Sequence, residues 1–103
     1  MSVQVAKPET FISNSYGEAY KLAGGLLIQK ANVKVPAGST HVRVNFPEVF
    51  VGEYGVVVTN IYSYSSDVLW SVTNRQNGTV DVYTYGSDDV EKEAELIAIG
   101  SWK

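Results

Sequence analysis

The chain has 103 residues, a formal net charge of −3 and a hydrophobic fraction of 45%. This length corresponds to one domain, and so large a hydrophobic fraction excludes an intrinsically disordered chain. Cysteine is absent, which excludes a disulfide framework and a thiolate zinc site. The sequence has no basic-then-apolar leader pattern and no apolar run of about 18 residues, so we expect neither a signal peptide nor membrane insertion.

Negative charge is concentrated in residues 88–95. Five carboxylates beside one lysine give this segment a net charge of −4: Asp88, Asp89, Glu91, Glu93 and Glu95, with Lys92. The rest of the chain is then close to +1 and carries no basic stripe, so we expect no binding to nucleic acid. Carboxylate oxygens suit Ca²⁺, but the spacing is not that of an EF-hand. We interpret the segment as a solvated loop and predict no metal and no other cofactor.

The beginning of the chain divides into an arm and the start of a domain. Residues 1–16 are weakly patterned and predict an N-terminal arm or a linker from a larger upstream protein. Residues 17–103 predict a single domain. Its first strand is short, and the glycine pair at 24 and 25 then allows a sharp turn, because a residue without Cβ adopts either sign of φ.

Consecutive aliphatic residues mark three strands, in residues 26–35, 54–62 and 96–100. Such runs indicate strands that are buried on both faces or that lie where two chains meet. We therefore predict a structural or interface role for Leu26, Leu27, Ile28, Val56, Val58, Ile97 and Ile99.

Three other segments alternate between apolar and polar residues, which is the period of a half-buried strand. They are residues 40–46, 68–73 and 79–85. Pro47 ends the first, because proline cannot donate to a strand ladder. Asn77 and Gly78 both tolerate positive φ and predict a hairpin between the other two. The apolar faces of the three segments carry Val42, Val44, Phe46, Val68, Trp70, Val72, Val80 and Val82.

These segments predict an all-β domain of about six to seven strands, spaced roughly ten residues apart and separated by turn signals. The pattern is typical of an antiparallel β-sandwich or barrel. A domain of this size buries only roughly 60–65% of its unfolded surface, so oligomerisation would add stability that a single chain lacks.

Aromatic residues lie close to polar ones in the second half of the chain. Tyr62 and Tyr64 flank a serine-rich loop, and Tyr83 and Tyr85 share the polar face of their strand with Asp81. A saccharide has apolar C–H faces ringed by hydroxyl groups, so its site combines an aromatic platform with polar side chains. The predicted ligand-binding residues are Tyr62, Tyr64, Asp67, Arg75, Tyr83 and Tyr85. The alternative role of the tyrosines is packing at sheet edges or between subunits.

The single histidine, His41, lies on the polar face of its predicted strand. A catalytic triad would also need a nucleophile and an orienting acid, and no pattern in the sequence supplies them. Paired carboxylates of the glycosidase type need only a suitable spatial gap, and nothing in the sequence selects a pair. We therefore predict that the chain is not an enzyme and that His41 faces solvent or an interface.

Three patches of the sequence resemble the C-terminal domain of phage and prophage tail fibre proteins. In residues 20–29 (YKLAGGLLIQ), a Tyr, a basic residue and a Leu precede glycine and an aliphatic run closed by Gln. Residues 44–50 (VNFPEVF) resemble the Phe-Pro-x-x-Phe corner of the family, and residues 97–100 (IAIG) its closing strand. The order and spacing agree over residues 16–103. One departure is Lys30-Ala31, where the family usually has Trp-Gly.

The resemblance implies an H-type lectin-like β-sandwich that forms a homotrimer at the tip of a fibre, with residues 1–16 leading from the upstream fibre. It implies a receptor-binding domain that contacts a host cell-surface polysaccharide or glycan. The protein would then be made in the host cytoplasm and be extracellular in the assembled virion. Two alternatives remain open: a structural domain that trimerises and caps the fibre, and a lectin or adhesin domain of the bacterium itself.

Overall fold

The computed structural model describes residues 10–62, 69–85 and 91–103. Within these residues the chain is all-β, with eight strands and no α-helix, which confirms the predicted fold class and adds a strand to the predicted number. The strands are β1 (Thr10–Asn14), β2 (Gly17–Lys21), β3 (Leu26–Val35), β4 (His41–Asn45), β5 (Gly55–Tyr62), β6 (Leu69–Thr73), β7 (Thr79–Tyr85) and β8 (Lys92–Ser101). The described residues contain no helix able to cross a membrane.

The strands form two antiparallel sheets. The larger has the order β1-β2-β3-β8-β5, and the smaller has the order β4-β7-β6. The pairing of β3 with β8 is the longest, because it runs over ten residues from Leu26 opposite Ser101 to Val35 opposite Lys92. The additional strand, β1, lies within the segment predicted as an arm and pairs with β2 from Thr10 to Asn14.

The two sheets pack against each other through one face each. Alternate residues of β3 are buried, from Leu27 to Val35, and they meet the buried faces of β4 and β7. Alternation with a period of two is what a strand with one buried face requires. The shared core consists of Ala19, Leu27, Ala31, Val33, Val35, Val44, Phe46, Phe50, Tyr54, Val80, Val82, Ala94, Leu96 and Ala98.

The predictions for the alternating strands are confirmed where residues are described. Val44, Val80 and Val82 are buried, and Val42, Trp70 and Val72 pack against the core. Phe46 is also buried, although it lies one residue beyond the end of β4 at Asn45. Val68 lies outside the described residues.

Two alternatives were predicted for the aliphatic runs: burial on both faces is wrong within a single chain, and a position between two chains stays a prediction. Leu27 is fully buried, but its neighbour Leu26 is 41% exposed. In β5, Val57 is 60% exposed between two half-buried valines. The reason is the period of the strand: consecutive side chains point to opposite faces, and one face of this sheet has no second layer among the described residues.

The hairpin between β6 and β7 forms, but its turn differs from the predicted one. Five residues separate the two strands, and the residue with positive φ is Asn74, at 50°, instead of the Asn77-Gly78 pair. The longer loop needs its left-handed residue at the start, where the chain leaves β6, and asparagine tolerates that conformation.

The three patches that carry the resemblance meet in the folded chain. The buried side-chain amide of Gln29 donates to the carbonyl of Glu48 and accepts from its N–H, at 2.9 Å in both cases. Phe50 stacks on Tyr54 with ring centroids 4.2 Å apart. These rings lie against Gly100, where a Cβ would come within 2.7 Å of the Tyr54 Cβ. The corner between β4 and β5 is thereby fixed onto β3 and β8.

Candidate functional site

The outer face of the three-stranded sheet carries a polar cluster. Register places His41 opposite Tyr83 and Arg43 opposite Asp81 on neighbouring strands. All four side chains lie on the face away from the core, because their neighbours in sequence are the inward valines of β4 and β7. On the other side of β7, Ser71 and Thr73 of β6 complete the face.

Asp81 is the centre of this cluster. One carboxylate oxygen accepts from Nε of Arg43 at 2.9 Å, and the other accepts from the Asn74 amide at 3.0 Å. Nε2 of His41 lies 3.6 Å from the first oxygen. These donors stabilise the ionised carboxylate, so the pKa of Asp81 is lowered from 3.8 to about 2, with the Arg43 hydrogen bond as the largest cause. We call these four residues the Asp81 network.

Arg43 remains available for a ligand although it is held in place. Its bond to Asp81 uses Nε, and its side chain is 59% exposed. Within the described residues no group accepts a hydrogen bond from its two terminal NH₂ groups. A guanidinium presents these groups as a rigid planar pair suited to two adjacent oxygen atoms. The Asp81 network therefore orients a bidentate donor toward solvent.

An aromatic surface lies beside this donor. The rings of His41 and Tyr83 stack with centroids 4.4 Å apart and an interplanar angle of 30°. Tyr83 is half-buried, and His41 is exposed. Ser71 of β6 lies opposite Tyr83 on the side away from His41. The rings of His41 and Tyr83 therefore form an apolar patch that is bordered by polar groups. Such an arrangement can contact the C–H face of a sugar while neighbouring groups bind its hydroxyls.

The structure separates the predicted ligand-binding residues. Tyr83 lies in the cluster just described, whereas Arg75 lies in the β6–β7 loop and donates to the carbonyl of Tyr54 at 2.7 Å. Arg75 lines a hollow of about 340 Å³ together with Gly52, Glu53, Tyr54 and Asn77. The structure does not describe Tyr64 and Asp67. It describes the backbone of Tyr62 and Tyr85 but not their side chains.

Sequence reasoning missed Arg43 and the role of Asn74. The available signal was the alternation of residues 40–46 and 79–85, which puts His41, Arg43 and Asp81 on polar faces. The missing information was the register, because only the pairing of β4 with β7 brings residues 43 and 81 together.

The predicted interface residues lie on both sides of the five-stranded sheet. Leu27 is in the core, and Val56 and Val58 pack against it. Leu26, Ile28, Ile97 and Ile99 lie instead on the outer face, where Ile28 pairs with Ile99. With Phe11, Tyr20 and Val57 they form a continuous surface across the sheet, since Phe11 pairs with Tyr20 and Tyr20 with Ile28. We call these seven residues the apolar band.

The described residues contain no group of three or more His, Cys, Asp or Glu side chains that could hold a metal ion. Residues 86–90, which include Asp88 and Asp89 of the acidic segment, lie outside this statement because the structure does not describe them. The prediction of a solvated loop is wrong for the rest of that segment from residue 92 on, because Lys92, Glu93 and Glu95 lie in β8 and pair with β3.

The fold is similar to that of two solved tail fibre structures. One is the N-truncated R2-type pyocin tail fibre, with a TM-score of 0.72 and 16% identity over 93% of this chain and 39% of that chain. The other is a C-terminal part of the R2 pyocin fibre of P. aeruginosa, with a TM-score of 0.71 and 16% identity over 88% of this chain and 25% of that chain. This chain therefore spans well under half of either solved chain. At this level of identity the similarity shows a shared fold.

No model of a known protein family matches the sequence, and no curated protein matches it.

Proposed function

We propose that the chain is a non-catalytic receptor-binding domain at the tip of a phage or prophage tail fibre. In this proposal the domain is an H-type lectin-like sandwich that attaches to a saccharide of the host cell surface. It is made in the host cytoplasm and is extracellular once the virion is assembled. The support is the fold shared with pyocin tail fibres, together with the polar and aromatic outer face of the three-stranded sheet.

One observation carries the saccharide part of the proposal: a fixed, solvent-facing guanidinium lies beside a stacked aromatic pair. Asp81, whose other oxygen accepts from Asn74, holds Arg43 through Nε, so the terminal NH₂ groups of Arg43 can donate to two vicinal hydroxyls or to one carboxylate. The Tyr83–His41 pair supplies the apolar contact. Because the groups are already ordered, less conformational entropy is lost when a ligand binds.

Binding at one such shallow site is expected to be weak, with a Kd on the order of 1 mM, which corresponds to about −4 kcal/mol. Several linked copies would raise the overall affinity by roughly 10²–10⁴ without new contacts. The proposal therefore includes a homotrimer. Its support is the apolar band, in which Phe11, Val57 and Ile99 are each about half exposed or more. Contiguous apolar surface of this kind marks interaction sites.

The apolar band also supports a second candidate function, in which the domain only trimerises and caps the fibre. In that case self-association depends on the band, and the Asp81 network has no ligand. A bacterial lectin or adhesin domain is the third candidate, and it has the same saccharide site as the first.

The experiment that separates recognition from capping uses variants that leave the core intact. Tyr83→Ala removes the aromatic contact, and Arg43→Lys replaces the bidentate donor by an ammonium. Val51→Thr serves as the control, because Val51 is an exposed residue outside the network and the band. The readouts are binding to a glycan array, adsorption of fibres that carry each variant to host cells, and the mass of the assembled protein.

We expect both site variants to lose about tenfold or more in glycan binding and adsorption while their mass is unchanged, and we expect the control to behave as the natural protein. Capping is favoured instead if adsorption survives both substitutions. The saccharide proposal is rejected if the natural protein binds no glycan and removing the domain leaves adsorption intact.

A further inference from the structure

A polar hollow lies on the five-stranded sheet, beside the β1–β2 hairpin. It has a volume of about 330 Å³ and lies between the hairpin turn and the middle of β3. Gly17 fixes this geometry: its φ is +145°, and a Cβ there would lie 2.0 Å from the carbonyl oxygen of Lys30. The hairpin can therefore approach β3 only because residue 17 is glycine. We call this space the hairpin hollow.

The polar lining of the hairpin hollow comes from four strands and a turn. Register places Glu18 opposite Lys30 and Asn32 opposite Glu95, all on the outer face of the sheet. Lys30 Nζ lies 3.2 Å from a carboxylate oxygen of Glu95, and Glu18 accepts from the hydroxyl of Tyr20. Two carboxylates and one ammonium give the lining a net charge of −1.

The two asparagines supply uncommitted amide groups. The side-chain oxygen of Asn14 accepts from the N–H of Tyr16 at 2.9 Å, which orders the turn, and no described residue accepts from the Asn14 NH₂ group. In the described part of the chain, the exposed side chain of Asn32 has no hydrogen-bond partner. These groups add donors and an acceptor beside the carboxylates.

Tyr16 gives the hollow an aromatic wall. Its side chain is 52% exposed at the tip of the hairpin. It lines both the hairpin hollow and a smaller adjoining hollow of about 150 Å³ between β3 and β4. Among the described residues no other ring stacks on it, so its face is available to a ligand. An exposed aromatic ring at a fixed turn, beside paired acceptors and donors, is the arrangement that a sugar ring requires.

We propose that the hairpin hollow is a second saccharide site, which takes a neutral or amine-bearing sugar residue and disfavours an acidic one. Tyr16 contacts the C–H face, Glu18 and Asn32 bind hydroxyl groups, and the excess carboxylate attracts an ammonium and repels an anion. This preference differs from that of the site at Tyr83, where Arg43 presents free donors suited to an anion. Arg43 lines the smaller hollow that adjoins Tyr16, but it does not line the hairpin hollow, and the two proposed sites share no residue.

The test is a sugar titration of the 103-residue chain, monitored by two-dimensional amide NMR. The probes are D-glucosamine, D-glucose and D-glucuronic acid, each raised to about 50 mM, well above a millimolar Kd. We expect amide shifts in residues 13–18 and 30–32, with the tightest binding for glucosamine and the weakest for glucuronic acid. Glu18→Gln keeps an acceptor for the Tyr20 hydroxyl and is expected to reduce the preference for glucosamine over glucose.

Tyr16→Ala is expected to weaken these titrations about tenfold, and Tyr16→Phe, which keeps the ring, to leave them nearly unchanged. Tyr83→Ala is the control for the other site and is expected to have no effect on residues 13–18. The inference is overturned if none of the three sugars shifts the hollow's amides, if Tyr16→Ala binds as the natural protein does, or if Tyr83→Ala abolishes the signal. If Tyr83→Ala still binds glycans on the array as the natural protein does, while the sugars still shift the amides of the hairpin hollow, only the proposed site at Tyr83 is rejected.

Discussion

Asp81 is the residue that holds the outer face of the three-stranded sheet in order. It is 6% exposed, and a buried carboxylate is tolerable only when it is paired and hydrogen-bonded. Arg43 and Asn74 satisfy one oxygen each. The alternation of residues 79–85 placed Asp81 on a polar strand face but could not show its burial, because the groups that pair with it, Arg43 and Asn74, come from two other segments of the chain.

The lowered pKa of Asp81 predicts a pH dependence of stability. Its folded value, about 2, lies below the ordinary 3.8, so the ionised form stabilises the native state above about pH 4. This contribution is lost as the pH falls through the folded value. In Arg43→Met the largest cause of the shift is removed, so the difference in unfolding free energy between the natural protein and the variant is expected to shrink from pH 7 to pH 2.

Urea denaturation at the two pH values measures that difference. Lys34→Met is the control, because Lys34 is an exposed cation with no ion pair in the described residues. A gap of the same size at pH 7 and pH 2 for Arg43→Met would show that the ion pair does not set the acid sensitivity.

At the scale of elements, prediction succeeded where a segment determines its own structure. The bounds of β7 agree with the alternation in residues 79–85, and β4 ends just before Pro47. Prediction failed where the structure of a segment depends on a segment elsewhere in the chain. The residues of β1 show little alternation, and they form a strand because β2 supplies their hydrogen-bond partners. The hairpin hollow exists because Gly17 lies against the backbone of Lys30, and the sequence around Gly17 does not predict that contact.

The corner between β4 and β5 provides an element-scale prediction. Gln29 binds both backbone groups of Glu48 from a fully buried position, so Gln29→Leu leaves them without partners at similar side-chain volume. We expect a loss of about 1–3 kcal/mol in the free energy of unfolding, measured by urea denaturation. Gln76→Leu is the control: it removes one exposed hydrogen bond, from Nε2 of Gln76 to Oδ1 of Asn74, and leaves no buried group without a partner, so it is expected to change the free energy of unfolding by less than about 0.5 kcal/mol. Equal effects of the two substitutions would show that Gln29 does not secure the corner.

At the scale of the molecule, the two outer faces differ in character. One carries the Asp81 network with its aromatic pair, and the other carries the apolar band. The aliphatic runs in residues 26–28 and 56–58 already indicated an excess of apolar surface, but the sequence alone could not tell burial within the chain from burial between chains. The structure places Leu26, Ile28 and Val57 on the outer face of the five-stranded sheet, where the described residues provide no second layer to cover them.

This division of faces is the basis of the whole account, since three weak saccharide sites act together only if sister chains join through the band. The direct measurement is the mass of the protein in solution by sedimentation equilibrium, for the natural chain and for Ile99→Lys. We predict about three times the chain mass of 11.3 kDa for the natural protein and a folded monomer for Ile99→Lys. A folded natural protein of 11.3 kDa at all concentrations, or an Ile99→Lys variant that stays trimeric, would contradict the account.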